Sequence, residues 1–272
     1  MRIIYAADLH EHRESYQELF ELVAREEPDL LLLGGDYFRP SRSVASQLAF
    51  IEEFLAPRLA QLAVPVRFIP GNTDYPGAIE RLSRLPDHIR LLDLRPVSIS
   101  QELVLRGYGM VNVSPFRIKH HERRDLASDT HQGADPCLWS GSGTEIREVA
   151  PDILNQLPSI EEDLRSIGSG QGETAGQSEI WVMHAPPYGT KLDMISKTQH
   201  VGSRAIRNAI AKHQPLLTLH GHIHEAPYQS GSWSDRINGT ICVNPGSGAG
   251  LHAVSIHLEN RRILELKHTI FR

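Results

Sequence analysis

Several features that would mark a specialised chain are scarce or missing. Cysteine occurs twice among the 272 residues, as Cys137 and Cys242. That spacing fits neither a disulfide framework nor a thiolate metal or redox motif. No apolar run approaches the ~20 residues of a membrane span. The N-terminus opens directly into a strand with Asp8 already polar, so no signal peptide is expected and the cytoplasm is the expected compartment. Basic charge is also short: a formal net charge of -5 gives no general pull toward nucleic acid or an anionic membrane. A hydrophobic content of 40% with 22% charged residues is that of an ordinary globular protein. Internal repeats are absent. Histidine alone is abundant, at fifteen residues, and it is the commonest metal ligand.

The stretch Asp29–Asp36 organises the rest. Four leucines, Leu30–Leu33, suit a strand covered on both faces, as in a parallel sheet. The strand runs into Gly34 and Gly35 and then presents Asp36. In open α/β sheets, ligands collect beyond the carboxyl ends of such strands, and glycines there let backbone approach closely. A carboxylate so placed has two oxygens to share between two cations.

The same punctuation recurs along the chain. Residues 2–7 read as a strand ending in Asp8-Leu9-His10, and a helical stripe through Tyr16, Leu19, Phe20 and Val23 stops before Pro28. Ser43 caps a second helix bearing Val44, Leu48, Ile51 and Leu55, which Pro57 should kink or end. Val64–Ile69 closes in Gly71-Asn72-Thr73-Asp74. A helix around Ala78–Leu85 and strands at Ile89–Leu92 and Leu103–Tyr108 follow. Ile180–Met183 leads into His184, a helix near Ser203–His213 follows, and Leu216–Leu219 leads into His220-Gly221-His222-Ile223-His224. Strands near Thr240–Val243, His252–Leu258 and Ile263–Lys267 read as antiparallel sheet. Residues of about 114–178 are polar, with glycine/serine tracts at Ser140–Gly143 and Gly168–Gly176. Ile153 to Leu164 reads there as one amphipathic helix. The whole, 1–272, is expected to be a single α/β domain with an insertion at about 114–178.

Five strands thus end in polar clusters: Asp8/His10, Asp36, Asn72/Asp74, His184 and His222/His224. If the strands are mostly parallel, those ends share one edge of the sheet. Carboxylate, imidazole and amide oxygen together suit Mn²⁺, Fe or Zn²⁺.

In this order the clusters resemble the signature of the calcineurin-like metallophosphoesterases: Asp-x-His, Gly-Asp, Gly-Asn-His-Asp/Glu, a lone His, and Gly-His-x-His. Asn244-Pro245-Gly246-Ser247 is similar to the turn that follows the last motif. Five motifs in order are far more specific than any one of them. The resemblance implies a four-layer α/β/β/α sandwich and two divalent ions (manganese, iron, zinc or nickel, with manganese best placed to support activity). One ion would be held by Asp8, His10, Asp36 and His224, the other by Asp36, Asn72, His184 and His222. It implies in-line attack by a hydroxide bridging the metals on a phosphodiester or small phosphomonoester. Asn72 and Asp74 would be the catalytic companions, and His220 would pack or support a ligand.

The chain departs from the signature at Thr73, where the family carries the histidine that protonates the leaving oxygen. A threonine hydroxyl cannot do so at neutral pH, which tilts the reading toward diesters or good leaving groups. His12, His120, His121 or a metal-bound water are the alternative donors. Glu11 stands where glycine often follows the first motif. The Asp-Arg-Gly of protein Ser/Thr phosphatases is absent after Asp36, which places the chain with the small bacterial or archaeal phosphoesterases. Arg39, Arg117 and Lys119 are the candidate substrate contacts; His88, His213 and His268 read as surface residues. The competing readings are a non-catalytic metal- or ligand-binding regulator with an idle site, and a metal-dependent nuclease, which the acidic balance disfavours. A small phosphate ester is the expected partner, with no membrane. Amidohydrolase and metallo-β-lactamase patterns fit the late His-Gly-His-Ile-His poorly.

Overall fold

The computed structural model describes residues 1–41, 43–141, 143–167 and 176–271. Most of the Gly168–Gly176 tract therefore lies outside the described residues. Two six-stranded mixed sheets carry the fold. The first runs Arg262–His268, Ala253–Glu259, Arg2–Ala6, Leu30–Leu33, Val66–Phe68, Ile89–Leu91. Its last four strands are parallel, and Ala253–Glu259 returns antiparallel to Arg2–Ala6. The second runs Ser234–Ile237, Thr240–Val243, Leu217–Leu219, Ser178–Met183, Leu103–Tyr108, Val97–Ser98, parallel in its four central strands with antiparallel edges.

The leucine strand shows how the layers stack. Its side chains alternate between faces: Leu31 and Leu33 join Ile4, Tyr16, Leu19 and Phe54 beneath the helices. Leu30 and Leu32 join Ile3, Tyr5, Leu105, Val182 and Leu219 between the two sheets. A third apolar cluster packs Trp181 and Met183 of the second sheet against Ile160, Leu164, Ile206 and Ile210 on its outer helices. Helix, sheet, sheet, helix is thus the order of layers, as the resemblance implied.

Some sequence expectations are corrected. Ile153 to Leu164 forms two short helices, Ile153–Gln156 and Ile160–Leu164. Pro158 forces Leu157 into an extended conformation. Ser159 then starts the second helix with a capping box, its Oγ accepting the Glu162 amide while the Glu162 carboxylate accepts the Ser159 amide. Around Pro57 the helix does break its regular ladder: the α-helix Val44–Phe50 gives way to a wide π turn at Ile51–Leu55 and resumes as Ala56–Ala60, with Pro57 in its first turn. Only part of the C-terminal region is antiparallel to its neighbours. Thr240–Val243 lies parallel to Leu217–Leu219, and its antiparallel partner Ser234–Ile237 carries no apolar alternation that would announce it. His268, expected at the surface, is buried: its Nε2 donates to the Pro245 carbonyl and its Nδ1 accepts the Ile270 and Phe271 amides. Among the described residues no helix is long and apolar enough to cross a membrane.

Leu31 is 0% exposed and Leu264 is 54% exposed. Leu31→Ala is expected to lower unfolding stability by about 2–5 kcal/mol and Leu264→Ala by well under about 1 kcal/mol, measured by denaturant titration.

Candidate metal centre

The five polar clusters meet, but not on one sheet edge as expected. Asp8, Asp36 and Asn72 follow strands of the first sheet, whereas His184 and His222/His224 follow strands of the second. The carboxyl ends of two parallel sets face one another across the sandwich.

Asp36 lies at the centre. Its Oδ1 accepts the amide of Thr73 at 2.8 Å and the Thr73 hydroxyl at 2.9 Å. Its Oδ2 stands 3.4 Å from His184 Nε2 and 3.8 Å from His10 Nε2. One oxygen is thereby held by protein donors and the other is left between two imidazoles. Asp8 Oδ1 is 3.2 Å from His224 Nε2, and both Asp8 oxygens accept the His222 amide at 3.0 Å. Ligand atoms of Asp8, His10, Asp36 and His224 all lie within 4.8 Å of one another, and so do those of Asp36, His184 and His222. Asn72 Oδ1 is 3.2 Å from His184 Nε2.

The proton inventory favours a cation. His10 Nδ1 faces the Phe38 carbonyl at 3.0 Å and His184 Nδ1 faces the Gly34 carbonyl at 2.7 Å. A carbonyl only accepts, so both Nδ1 atoms carry protons and both Nε2 atoms present lone pairs. His10 Nε2 then meets His224 Nε2 at 3.0 Å, and His184 Nε2 meets the oxygens of Asn72 and Asp36. Around His184 Nε2, acceptors converge on acceptors, whereas His224 Nε2 also faces the Asp8 carboxylate, to which it can only donate. Without an ion, protons must fill the gap. Burial disfavours the His184 imidazolium, yet the Asp36 carboxylate outweighs it and lifts the pKa to about 9. His222 goes the other way, to about 3, through burial and then repulsion from His184. Two carboxylates, an amide oxygen and imidazoles steered by Nδ1–H···O=C bonds form a donor set suited to divalent ions.

Local backbone strain concentrates here. Asp8 (φ 56°), His10 (42°), Glu11 (59°), Asp36 (54°) and His222 (66°) all adopt the left-handed region, at about 1–2 kcal/mol each. Gly71 permits a close approach, since a Cβ there would collide with Asp36 Oδ1.

Asp74, expected as a catalytic group, sits behind the site and is 0% exposed. Its Oδ2 accepts the amides of Asp36 and Gly71 at 2.8 and 2.7 Å, and its Oδ1 those of Tyr37 and Phe38 at 2.8 and 3.3 Å. It shapes two ligand loops at once. His220 is buried, its Nδ1 on the Met183 and Ala185 carbonyls and its Nε2 near Thr218 Oγ1.

A cavity of about 1200 Å³ opens above the cluster, lined by His10, Asp36, Asn72, Thr73, His222 and His224. Residues 112–118, Tyr188, Ile195, 200–202 and Arg204 also line it. The expected substrate contacts fare unevenly. Arg117 lines the cavity but pairs with Glu148 at 2.6 Å. Lys119 is buried, its ammonium 2.6 Å from Glu122 and from the Ser114 carbonyl. Arg39 lies outside the cavity lining, beside Glu11. Of the expected proton donors, His120 and His121 are buried, with His120 Nε2 on the Asp74 carbonyl, and His12 lines a separate small cleft. Phe116, 64% exposed, and Tyr188, with Arg204 over its ring at 5.0 Å, also line the cavity. No periodicity or motif marks them.

The chain matches the calcineurin-like phosphoesterase family over residues 1–226 and belongs to it. Among solved structures it is similar to TT1561 of Thermus thermophilus, at 16% identity and a TM-score of 0.59, with 98% of each chain covered. A dimetal phosphatase from Danio rerio aligns at 12% identity and a TM-score of 0.59, over 98% of this chain and 95% of that one. NAD nucleotidase from Haemophilus influenzae aligns at 11% identity and 0.53, over 99% of this chain and 49% of that one.

Asp74→Asn places an NH₂ group against amide donors and is expected to cost about 3 kcal/mol of unfolding free energy, measured by denaturant titration of the metal-free protein. A loss under about 0.5 kcal/mol would deny the carboxylate its organising role.

Proposed function

We propose that this calcineurin-like phosphoesterase is a dimetal-dependent hydrolase of phosphodiesters, with small phosphomonoesters as slower substrates. The observation that carries the proposal is Asp36, shared by both groups of converging ligands. Asp8, His10, Asp36 and His224 would hold one ion, and Asp36, Asn72, His184 and His222 the other. Two bound divalent ions supply a nucleophilic water at neutral pH and neutralise charge on the phosphoryl oxygens; manganese is the first choice for assay, with iron, zinc and nickel as the other native candidates.

The chain's own residues do the rest. Thr73 fixes Asp36 so that one carboxylate oxygen stays free. The Asn72 amide, 7% exposed, can orient the phosphoryl group. Residues 112–118 supply one wall of the cavity, which supports reading about 114–178 as an insertion that selects substrate. Arg117 at the cavity wall and Lys119 outside the lining are engaged in ion pairs, and Asp125, Asp129 and Glu225 line the cavity with Arg204. That lining suits a small ester better than a nucleic-acid backbone. With no Asp-Arg-Gly after Asp36, the chain fits the small bacterial or archaeal branch of the family.

Protein stripped of metal and resupplied with Mn²⁺ is expected to hydrolyse bis(p-nitrophenyl) phosphate faster than p-nitrophenyl phosphate. Asp36→Asn should lower diester turnover by at least about 100-fold and reduce bound metal per chain. Turnover surviving in Asp36→Asn would contradict the assignment. Two bound ions without turnover of any ester would favour the idle-site regulator.

A further inference from the structure

The cavity wall carries a histidine, backed by a buried carboxylate, that the ligand cluster does not use. His200 lines the cavity, and its Nδ1 lies 2.8 Å from Oδ1 of Asp193. The His200 side chain is 30% exposed and that of Asp193 is 0% exposed. The carboxylate is fixed by backbone: Oδ1 accepts the Thr190 amide at 2.9 Å, and Oδ2 accepts those of Gly189 and Gly202 at 3.0 Å each. A buried carboxylate that only accepts holds the proton on His200 Nδ1 and orients the ring. The other nitrogen, Nε2, has no protein partner among the described residues.

This pair is anchored to the ligand loops. The Ser203 amide donates to the Pro186 carbonyl at 2.9 Å, and the Tyr188 amide to the Ser203 carbonyl at 3.0 Å, which ties the His200 segment to the loop after His184. Asn244 Nδ2 donates to the carbonyls of Leu192 at 3.0 Å and Ile223 at 3.1 Å, joining the Asp193 segment to the His222–His224 loop. Asn112 Nδ2 donates to the Val201 carbonyl at 3.0 Å. His200 is therefore set on a frame continuous with the ligands, not on a free loop.

We propose that His200, oriented by Asp193, donates the proton to the leaving oxygen, the role for which residue 73 offers only a threonine. This rests on the phosphoester reading above. As the water oxygen bonds to phosphorus it releases one proton to solvent, the phosphorus–oxygen bond to the leaving group breaks, and that bond's electron pair stays on the leaving oxygen. The proton on Nε2 of doubly protonated His200 moves to that oxygen, giving the free alcohol and a neutral ring. Asp193 keeps its charge throughout and balances the ring while it carries both protons. Solvent restores the proton before the next turnover.

The test is a series of Mn²⁺-supported phosphodiester hydrolyses whose leaving groups run from p-nitrophenol to a simple alcohol. His200→Gln keeps a polar, partly exposed side chain and is expected to fold, with metal content and melting temperature measured alongside. It should lower kcat for the alkyl ester by about 100-fold or more, and for the p-nitrophenyl ester by under about tenfold, because a good leaving group needs little protonation. Asp193→Asn should show the same bias with a smaller amplitude. An equal loss across the series, a rise in KM alone, or loss of bound metal in His200→Gln would overturn the acid role while leaving the phosphoesterase reading intact. A wild type inert toward the whole series with any metal would overturn both.

Discussion

The centre depends on one buried carboxylate that faces neither cavity nor solvent. Asp74 gathers amides from Gly71 on one strand-end loop and from Asp36, Tyr37 and Phe38 on the next. Loop backbone buried at strand ends would otherwise leave those donors unpaired, at about 1–3 kcal/mol each. With them satisfied, Asp36 can remain left-handed and turn its side chain toward His10 and His184. Thr73 completes the arrangement by holding one Asp36 oxygen, which leaves the other shared between the imidazoles.

The second sheet is what turns half a site into a whole one. The first sheet alone supplies oxygen ligands and one imidazole; His184, His222 and His224 come from strands across the inter-sheet core. Leu30, Leu32, Leu105, Val182 and Leu219 fix the separation of the sheets, so ordinary apolar packing sets distances between polar groups at the rim. Close-packed interiors resist adjustment, which keeps lone pairs converging even where protons must occupy the gap. Tyr5 adds a polar link, its hydroxyl donating to the His220 carbonyl at 2.8 Å across the two sheets.

Much of this is legible in the chain because each ligand sits immediately after an apolar strand. Strand, glycine and carboxylate are adjacent in sequence, so Asp36 can be read without knowing any tertiary contact. The same holds for His184 and for His222 with His224. What cannot be read depends on partners distant in the chain or on how a loop closes. Lys119 reads as a cation free for substrate, but Glu122 three residues on buries with it. His268 reads as exposed, yet Pro245 and the chain end close around it. Asp193 and His200 carry no motif, and only the turn between them makes them a pair. The break at Pro158 is different in kind. Ser159-Ile160-Glu161-Glu162 is a capping box written in the sequence, and it outweighs the helical periodicity that runs across it.

The account stands or falls on two ions sharing Asp36. The most direct measurement is the anomalous-scattering map of crystals equilibrated with Mn²⁺. Two peaks about 3.5–4 Å apart, one among Asp8, His10 and His224 and the other among Asn72, His184 and His222, with Asp36 touching both, are the predicted result. A single peak, or manganese bound away from Asp36, would contradict the account.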